Sequence, residues 1–172
     1  MKKRLGVVPA LFSFLLAVLL FAGCAAPQSE GVSIYLTSRE IPVAAMPMQS
    51  HVEIAAQPTV APDEIISYKR ETHEIELTPS AYERITEMDV PVSGRSFVVC
   101  VNRSPIYWGA FWTPLSSLSF DGIVIMKPLA LERNDHIIRL EAGYPSPQFF
   151  TGEDTRLNAQ VMQALEQAGK LK

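Results

Sequence analysis

Ser96-Phe97-Val98-Val99-Cys100-Val101 is the stretch of this 172-residue chain that most strongly predicts a sheet. From Phe97 onward it is continuously apolar and rich in β-branched side chains, which is typical of a strand covered on both faces. Asn102-Arg103-Ser104 predicts a turn, and Pro105-Ile106-Tyr107-Trp108 can return as a partner strand, because proline is tolerated where a strand starts. We therefore expect this hairpin to lie at the centre of the fold.

Shorter runs predict the other strands. In His73-Glu74-Ile75-Glu76-Leu77 the apolar side chains alternate with carboxylates, as in a strand with one buried face. Further strands are predicted at Val32–Leu36, Gly122–Lys127 and Ile137–Leu140, and within Ser50–Ala55. Asp63 is expected to cap a short helix or turn over Glu64–Tyr68.

Two helices are predicted from their caps and apolar stripes. Thr78-Pro79 supplies a capping oxygen and a proline for the first turn of a helix that continues to about residue 88. Asp154 is expected to cap a last helix that ends at Gly169. This mixture of helices and strands predicts the α+β class.

The first 24 residues predict an export signal that ends in a lipid anchor. Lys2, Lys3 and Arg4 precede the mostly apolar stretch Leu5–Phe21, which is typical of a signal peptide. The next residues, Ala22-Gly23-Cys24, complete a resemblance to the lipobox of bacterial lipoproteins, with Phe21 where that pattern usually has Leu. The resemblance implies that Cys24 carries acyl chains, which anchor a protein to a bilayer without a spanning helix. The alternatives are a secretory signal cleaved without lipidation and an uncleaved anchor helix.

The anchor divides the chain into three parts and gives its location. Residues 1–23 are the predicted lipoprotein signal peptide, residues 24–31 a lipidated tether, and residues 32–172 a single extracytoplasmic domain. Removal of the signal takes away three basic residues and no acidic ones, so the formal charge changes from −3 to −6. This charge and the scattered basic residues argue against a nucleic-acid partner. We expect the protein to be attached to a cell membrane on its extracytoplasmic side. The sequence does not indicate which membrane.

The second cysteine is predicted to be structural. With Cys24 acylated, Cys100 has no disulfide partner in this chain. Its apolar neighbours predict a buried, protonated thiol.

Residues 63–171 resemble the first extracytoplasmic domain of the SecD protein-export subunit in their order of elements. The stretches that carry the resemblance are residues 73–78, 94–102 and 163–171. It implies a ferredoxin-like packing of two or three helices on a mainly antiparallel sheet. Asn102-Arg103 stands where that family has Asp-Gly, and the membrane helices that drive export have no counterpart here, so translocase activity is not implied.

The sequence contains no spacing that a catalytic or metal site requires. His51, His73 and His136 are too far apart for a helical zinc pair, no Gly-x-Ser-x-Gly elbow surrounds a serine, and the glycines are dispersed. We therefore predict no cofactor, no metal site and no catalytic residue. The alternative is an envelope hydrolase or small-ligand-binding protein whose site forms only in three dimensions, with His73, His136 and Glu76 as its first candidates.

Both tryptophans of the chain fall within one short aromatic stretch. Large aromatic side chains anchor protein interfaces and also fill cores. We predict Tyr107, Trp108, Phe111 and Trp112 as partner-binding residues, and Gly109 as a bulge or a close approach of two backbones. The loop at residues 144–150, with three aromatic side chains, is a second candidate.

The functional hypothesis is a non-enzymatic, lipid-anchored domain that binds an envelope protein or peptide. A third hypothesis is a structural envelope lipoprotein that binds no small ligand.

Overall fold

The computed structural model describes residues 30–48, 51–128 and 135–172. Over these ranges the chain is α+β, as predicted, with one seven-stranded sheet, two α-helices and several short 3₁₀ turns. The helices are α1 (Pro79–Glu87) and α2 (Ala159–Gln167). The strands are β1 (Val32–Leu36), β2 (Ile65–Lys69), β3 (Glu74–Leu77), β4 (Arg95–Val101), β5 (Ser104–Trp112), β6 (Phe120–Met126) and β7 (Ile137–Tyr144). The predicted signal peptide, Cys24 and most of the predicted tether lie outside the described residues.

The sheet has the order β1-β4-β5-β6-β7-β3-β2. Its neighbouring strands are antiparallel except for β5 and β6, which pair in parallel over Ala110–Trp112 and Val124–Met126. A parallel pair needs a connection that returns the chain to the same end of the sheet. Residues 113–119 make that return.

The predicted β4–β5 hairpin is confirmed. Asn102 and Arg103 form its turn with φ angles of +49° and +64°. Positive φ at both central positions is the geometry that matches the twist of paired strands, and Asn tolerates it better than most residues. Pro105 lies near the start of β5, where the ladder needs no proline N–H.

Both helices pack on one face of the sheet and form the main core with it. Buried side chains of α1 (Ala81, Tyr82 and Ile85) and of α2 (Val161 and Leu165) contact this face. Each fully buried large side chain contributes about 1.5–3 kcal/mol. The members from the sheet include Phe97, Val99, Tyr107, Phe111, Ile125, Ile138 and Leu140.

The N-terminal helix caps agree with the sequence predictions for α1 but not for α2. Thr78 Oγ1 accepts a hydrogen bond from the Ala81 N–H, as predicted for α1. Asp154 instead caps the 3₁₀ turn Thr155–Leu157, and the following Asn158 caps α2 through its side-chain oxygen. The prediction of Asp154 as the helix cap is therefore wrong by one turn. Gly169, with φ of +68°, ends α2 as predicted.

The opposite face of the sheet is covered by the chain between β1 and β2. The 3₁₀ turn Val43–Met48 contributes Met46, which packs with Tyr35, Val98 and Cys100. Since Phe97 and Val99 belong to the main core, β4 is buried on both faces, as its composition predicts.

Each edge of the sheet is partly covered. At the β1 edge, Ile34 forms an isolated bridge with Val60. At the β2 edge, residues 170–172 run beside the strand: Tyr68 N–H donates to Lys170 O at 2.7 Å and Lys172 N–H donates to Tyr68 O at 2.8 Å. Covered edges remove unpaired backbone groups that would otherwise template association.

Two local predictions differ from the structure. Ile65–Lys69 is strand β2 rather than a helix or turn, because Ile65 and Tyr68 are buried in the main core and the strand pairs with β3. Just before this strand, Pro62–Glu64 forms a 3₁₀ turn whose N-cap is Ala61 and not Asp63. Within the strand predicted at 50–55, the structure shows a single bridge from Ile54 to Thr37, and Ser50 lies outside the described residues.

Candidate partner-binding groove

The alternation of β5 separates the four predicted binding residues onto two faces of the sheet. Tyr107 and Phe111 belong to the main core, where their side chains are 8 % and 0 % exposed. Trp108 and Trp112 lie on the opposite face. Tyr107 and Phe111 are therefore buried against the helices and are not part of any surface patch. The two tryptophans remain together.

A groove of about 740 Å³ opens over these tryptophans, and we call it the aromatic groove. Trp108, Trp112 and Phe120 line it with their rings. Its volume falls within the range typical of ligand sites, about 300–1,000 Å³. The other lining residues come from the 3₁₀ segment and the residue before it, from β6, and from loops beside β4, β6 and β7: Pro42, Val43, Ala44, Pro47, Ser93, Leu118, Ser119, Asp121, Gly122 and Thr151.

The rings form one connected aromatic surface. Trp112 stacks on Phe120 with centroids 5.3 Å apart and planes 12° apart. Trp108 meets the same Phe120 ring at 5.9 Å, and Tyr144 meets Trp112 at 5.8 Å. Such aromatic pairs stabilise one another by about 0.5–1.5 kcal/mol beyond burial. These contacts join the four rings into one packed cluster.

The position of Trp112 depends on a glycine. A Cβ at Gly94 would lie 2.2 Å from Cζ3 of the Trp112 ring, and Gly94 has φ of +78°. Gly109 makes the close approach expected from the sequence, since a Cβ there would lie 2.5 Å from the backbone oxygen of Ile123. Neither site has room for a larger residue.

Trp112 carries a buried donor without an acceptor. Among the described residues, its indole Nε1 has no hydrogen-bond partner, and the side chain is only 2 % exposed. A buried donor that loses its water partner costs about 1–3 kcal/mol. Buried side-chain donors without a hydrogen-bond partner are uncommon in native proteins.

The groove has little charge. Asp121 is the one ionisable residue among the described residues that line it. Its Oδ2 accepts a hydrogen bond from Thr151 Oγ1 at 3.0 Å, and its backbone oxygen accepts one from the Thr151 N–H at 3.0 Å. Leu118, beside it, is 51 % exposed. The margin therefore combines an exposed apolar side chain with one fixed carboxylate.

His73 belongs to a separate polar cluster. The Tyr68 hydroxyl lies 2.9 Å from His73 Nδ1 and donates to the backbone oxygen of Arg156 at 3.1 Å. The Arg156 guanidinium makes two hydrogen bonds to the Asp154 carboxylate, of 2.8 and 2.6 Å, and a third to Leu140 O. This network joins the 3₁₀ turn before α2 to the sheet.

The electrostatics of the cluster favour the neutral forms of Tyr68 and His73 beside the charged Arg156–Asp154 pair. Burial raises the pKa of Tyr68 to about 12, so the phenol stays protonated at neutral pH. Burial, and then the Arg156 charge, lower the pKa of His73. Burial also raises the pKa of Tyr107. We therefore interpret the cluster as structural: its hydrogen bonds fix the turn before α2 against the sheet.

The three residues named for a hydrolase do not come together. His73 precedes β3, whereas His136 accepts the Leu77 N–H through its backbone oxygen at the other end of that strand. Four residues of strand separate these positions by about 13 Å. His136 packs edge-on against the Tyr82 ring, and Glu76 accepts a hydrogen bond from Ser67 Oγ at 2.8 Å. The proposed trio has no shared site.

The structure agrees with a structural role for Cys100. Its thiol is buried and free, and burial raises its pKa to about 11. The thiolate is the reactive form of cysteine. Cys100 is therefore inert at neutral pH.

Sequence reasoning missed the second half of the groove. Phe120 and Asp121 adjoin Trp108 and Trp112 only because β6 pairs with β5 in parallel. In the sequence alone, Pro42 and Pro47 indicate only breaks in secondary structure. No short-range pattern connects these segments to the tryptophans.

A second depression of about 590 Å³ lies near residue 30 and is lined by polar and apolar residues together, including Gln160, Asn102 and Ile106. It contains neither the aromatic side chains nor the unpaired donor. The aromatic groove is therefore the better candidate site.

Residues 30–48, 51–128 and 135–172 contain neither a metal-binding cluster nor a membrane-spanning helix. No group of three or more His, Cys, Asp or Glu side chains there is arranged to hold a metal ion. No helix in these ranges has the length and apolar character needed to cross a membrane.

In comparisons with known proteins, no family model, no curated protein and no solved structure matches this chain.

Proposed function

We propose that this chain is a lipid-anchored extracytoplasmic protein that binds a protein or peptide partner through the aromatic groove, without catalysis of its own. The observation that carries the proposal is the groove itself: connected rings, a buried indole N–H without an acceptor, and an exposed apolar margin. Partner interfaces are typically anchored by tryptophan and other aromatic side chains in desolvated pockets.

The position of the groove suits an anchored protein. β1 enters the sheet at Val32, opposite Val101 and beside the β4–β5 turn. Trp108 and Trp112 lie four and eight residues along β5 from Ser104, or about 13 and 26 Å from that end. The predicted tether from Cys24 to Gly31 spans at most about 25 Å. An acylated Cys24 would thus keep the domain near the bilayer, with the tether attached at the end of the sheet from which the two tryptophans are distant.

The resemblance to the SecD domain enters the proposal only at the level of packing. Two helices on one face of a mainly antiparallel sheet are compatible with a ferredoxin-like arrangement. Extra strands β6 and β7 separate β5 from β3. We propose the likeness as one of architecture.

The anchor is tested by intact mass and by membrane partitioning. The exported wild-type protein should carry the added mass of acyl chains and partition with membranes. Cys24→Ser should lose both properties. An unmodified, soluble wild-type protein would contradict the anchor.

The groove is tested by crosslinking of the anchored protein in its own envelope. Trp108→Ala and Leu118→Ser should reduce the yield of the crosslinked partner, because both remove apolar surface from the groove. Ile66→Ser is the matched control, since Ile66 is 46 % exposed on β2 and Leu118 is 51 % exposed. Equal yields from all variants, each folded by circular dichroism, would remove the groove as the binding site and favour a structural lipoprotein.

A further inference from the structure

We propose that the aromatic groove recognises an extended, proline-containing peptide that carries one basic side chain. This inference rests on the proposed function and names the chemistry of the partner segment. It follows from three properties of the lining: which hydrogen-bond groups it offers, which shapes its rings accept, and which charge it holds.

The unpaired indole donor calls for an acceptor. A helical ligand has its backbone carbonyls bonded internally, whereas an extended or polyproline chain leaves them free. A carbonyl from such a chain, on reaching Nε1 of Trp112, would supply the partner that this nitrogen lacks among the described residues. Since the nitrogen is covered in the free protein, that contact requires the surrounding rings to part slightly.

The lining offers few acceptors for a ligand's own N–H groups. Its polar side chains among the described residues are Ser93, Ser119, Asp121 and Thr151, and Thr151 already donates to Asp121. An ordinary extended peptide would bury N–H groups over the rings without partners, at a cost for each. Proline has no backbone N–H and a fixed φ, so it avoids that penalty and loses less entropy on binding.

The rings fit the same ligand. Aromatic-lined grooves bind polyproline segments because the preformed chain packs its rings against the walls. Trp108 offers the most accessible of the lining rings, and the more buried Trp112 and Phe120 pack beside it. A sugar would also stack on tryptophan, but its hydroxyls need several polar partners. The described lining contains no Asn, Gln, His, Lys or Arg to provide them.

Asp121 selects the charge of the ligand. Thr151 fixes one oxygen of this exposed carboxylate at the groove margin. A basic residue beside the prolines would pair with it, and an acidic residue would be repelled. An exposed pair of this kind contributes about 0.2–1 kcal/mol, which corresponds to roughly a 1.5- to fivefold change in affinity.

Intrinsic fluorescence provides the test, because both tryptophans of the chain line the groove. The exported protein in detergent is titrated with the peptide Ac-Arg-Pro-Leu-Pro-Pro-Leu-Pro-NH2. A matched peptide has Glu in place of Arg, and a second has Ala in place of every Pro. A hexamer of β-linked N-acetylglucosamine is the sugar probe.

We expect saturable binding of the arginine peptide with a change in tryptophan emission. The Glu peptide should bind about two- to fivefold more weakly, and Asp121→Asn should remove that difference. The Ala peptide should bind at least about tenfold more weakly, because all four prolines that preorganise the extended chain are replaced. Trp112→Phe should also weaken binding, because it removes the indole N–H.

Other outcomes overturn the inference. Equal binding of the Arg and Glu peptides refutes the role of Asp121, and tighter binding of the sugar refutes the peptide class. Absence of peptide binding, while Trp108→Ala still abolishes crosslinking to the envelope partner, refutes this inference and leaves the proposed function standing. Crosslinking that is independent of Trp108 refutes the proposed function itself. Asp121→Asn changes an exposed side chain, so it keeps the test valid if Trp112→Phe fails to fold.

Discussion

Replacing Gly94 by alanine should destabilise the domain through its contact with Trp112. A Cβ at this position would lie 2.2 Å from Cζ3 and 2.4 Å from Cε3 of the indole, and 3.2 Å from Cγ2 of Val43. Contacts below 3.0 Å cannot persist, so either the backbone of residues 93–95 or the Trp112 ring must move. Because the ring stacks on Phe120, its movement would disturb the aromatic groove as well.

Two effects set the size of the loss. The φ of Gly94 is +78°, where an L-residue is strained by roughly 1–2 kcal/mol. Overpacking against a fixed ring costs about 1–3 kcal/mol more. We therefore expect Gly94→Ala to lower the free energy of unfolding by about 2–5 kcal/mol. Urea denaturation, followed by tryptophan fluorescence and by circular dichroism, measures this value.

Gly152→Ala is the matched control. Gly152 also has a positive φ, +92°, but a Cβ there meets nothing within 4 Å. Gly152→Ala should lower the free energy of unfolding only by the backbone strain, about 1–2 kcal/mol. The difference between the two variants isolates the collision with the ring. If both variants lose the same free energy, the argument that Gly94 supports Trp112 is refuted.

Three further predictions concern a carboxylate, a thiol and the core. Hydrogen bonds, the first from Arg139, hold the pKa of Glu74 at about 2, below its usual 4.5, so its contribution to stability is complete above about pH 4.5 and is lost as the pH falls through 2. Between pH 6 and 2, the denaturation midpoint should fall less steeply with decreasing pH in Glu74→Gln than in the wild-type protein. In Cys24→Ser, Cys100 is the sole thiol and should react with iodoacetamide only after unfolding, as mass spectrometry can show. Phe97→Ala should cost about 3–5 kcal/mol in urea denaturation, because the ring is fully buried.

The controls for these predictions are specific. Glu83→Gln, at an exposed position of α1, should retain the wild-type slope with pH. An equal slope in Glu74→Gln would show that its ion pairs do not stabilise the fold. Rapid alkylation of native Cys100 would contradict its burial. A loss below about 1 kcal/mol for Phe97→Ala would mean that the core repacks around the cavity.

Local chemistry made some elements predictable. Three elements depend only on residues that are close together in the sequence. They are strand β4 with its β-branched side chains, the turn at Asn102-Arg103, and the start of α1 at Thr78-Pro79. The structure confirms them. Gly109 was also recognisable, because a glycine inside an apolar strand indicates close approach of another backbone.

Tertiary contacts determine the elements and side-chain positions that the sequence alone does not predict. Ile65–Lys69 follows a capping signal, yet it forms a strand because Ile65 and Tyr68 reach the main core. β5 is apolar almost throughout, so its sequence does not show which side chains the helices cover. The sequence alone therefore groups Tyr107 and Phe111 with the tryptophans, although they lie on the other side of the sheet. The parallel β5–β6 pair, which brings Phe120 to the groove, has no local signature.

The strip formed by residues 170–172 beside β2 also bears on how the chain acquires its structure. Tyr68 and Arg70 receive their backbone partners, Lys170 and Lys172, from about a hundred residues further along the chain. Such distant pairings form slowly, since a long loop must close first. A chain delivered N-terminus first would therefore keep the β2 edge open until its residue 172 had arrived. During that interval the nascent domain would be most exposed to misassociation and to proteases.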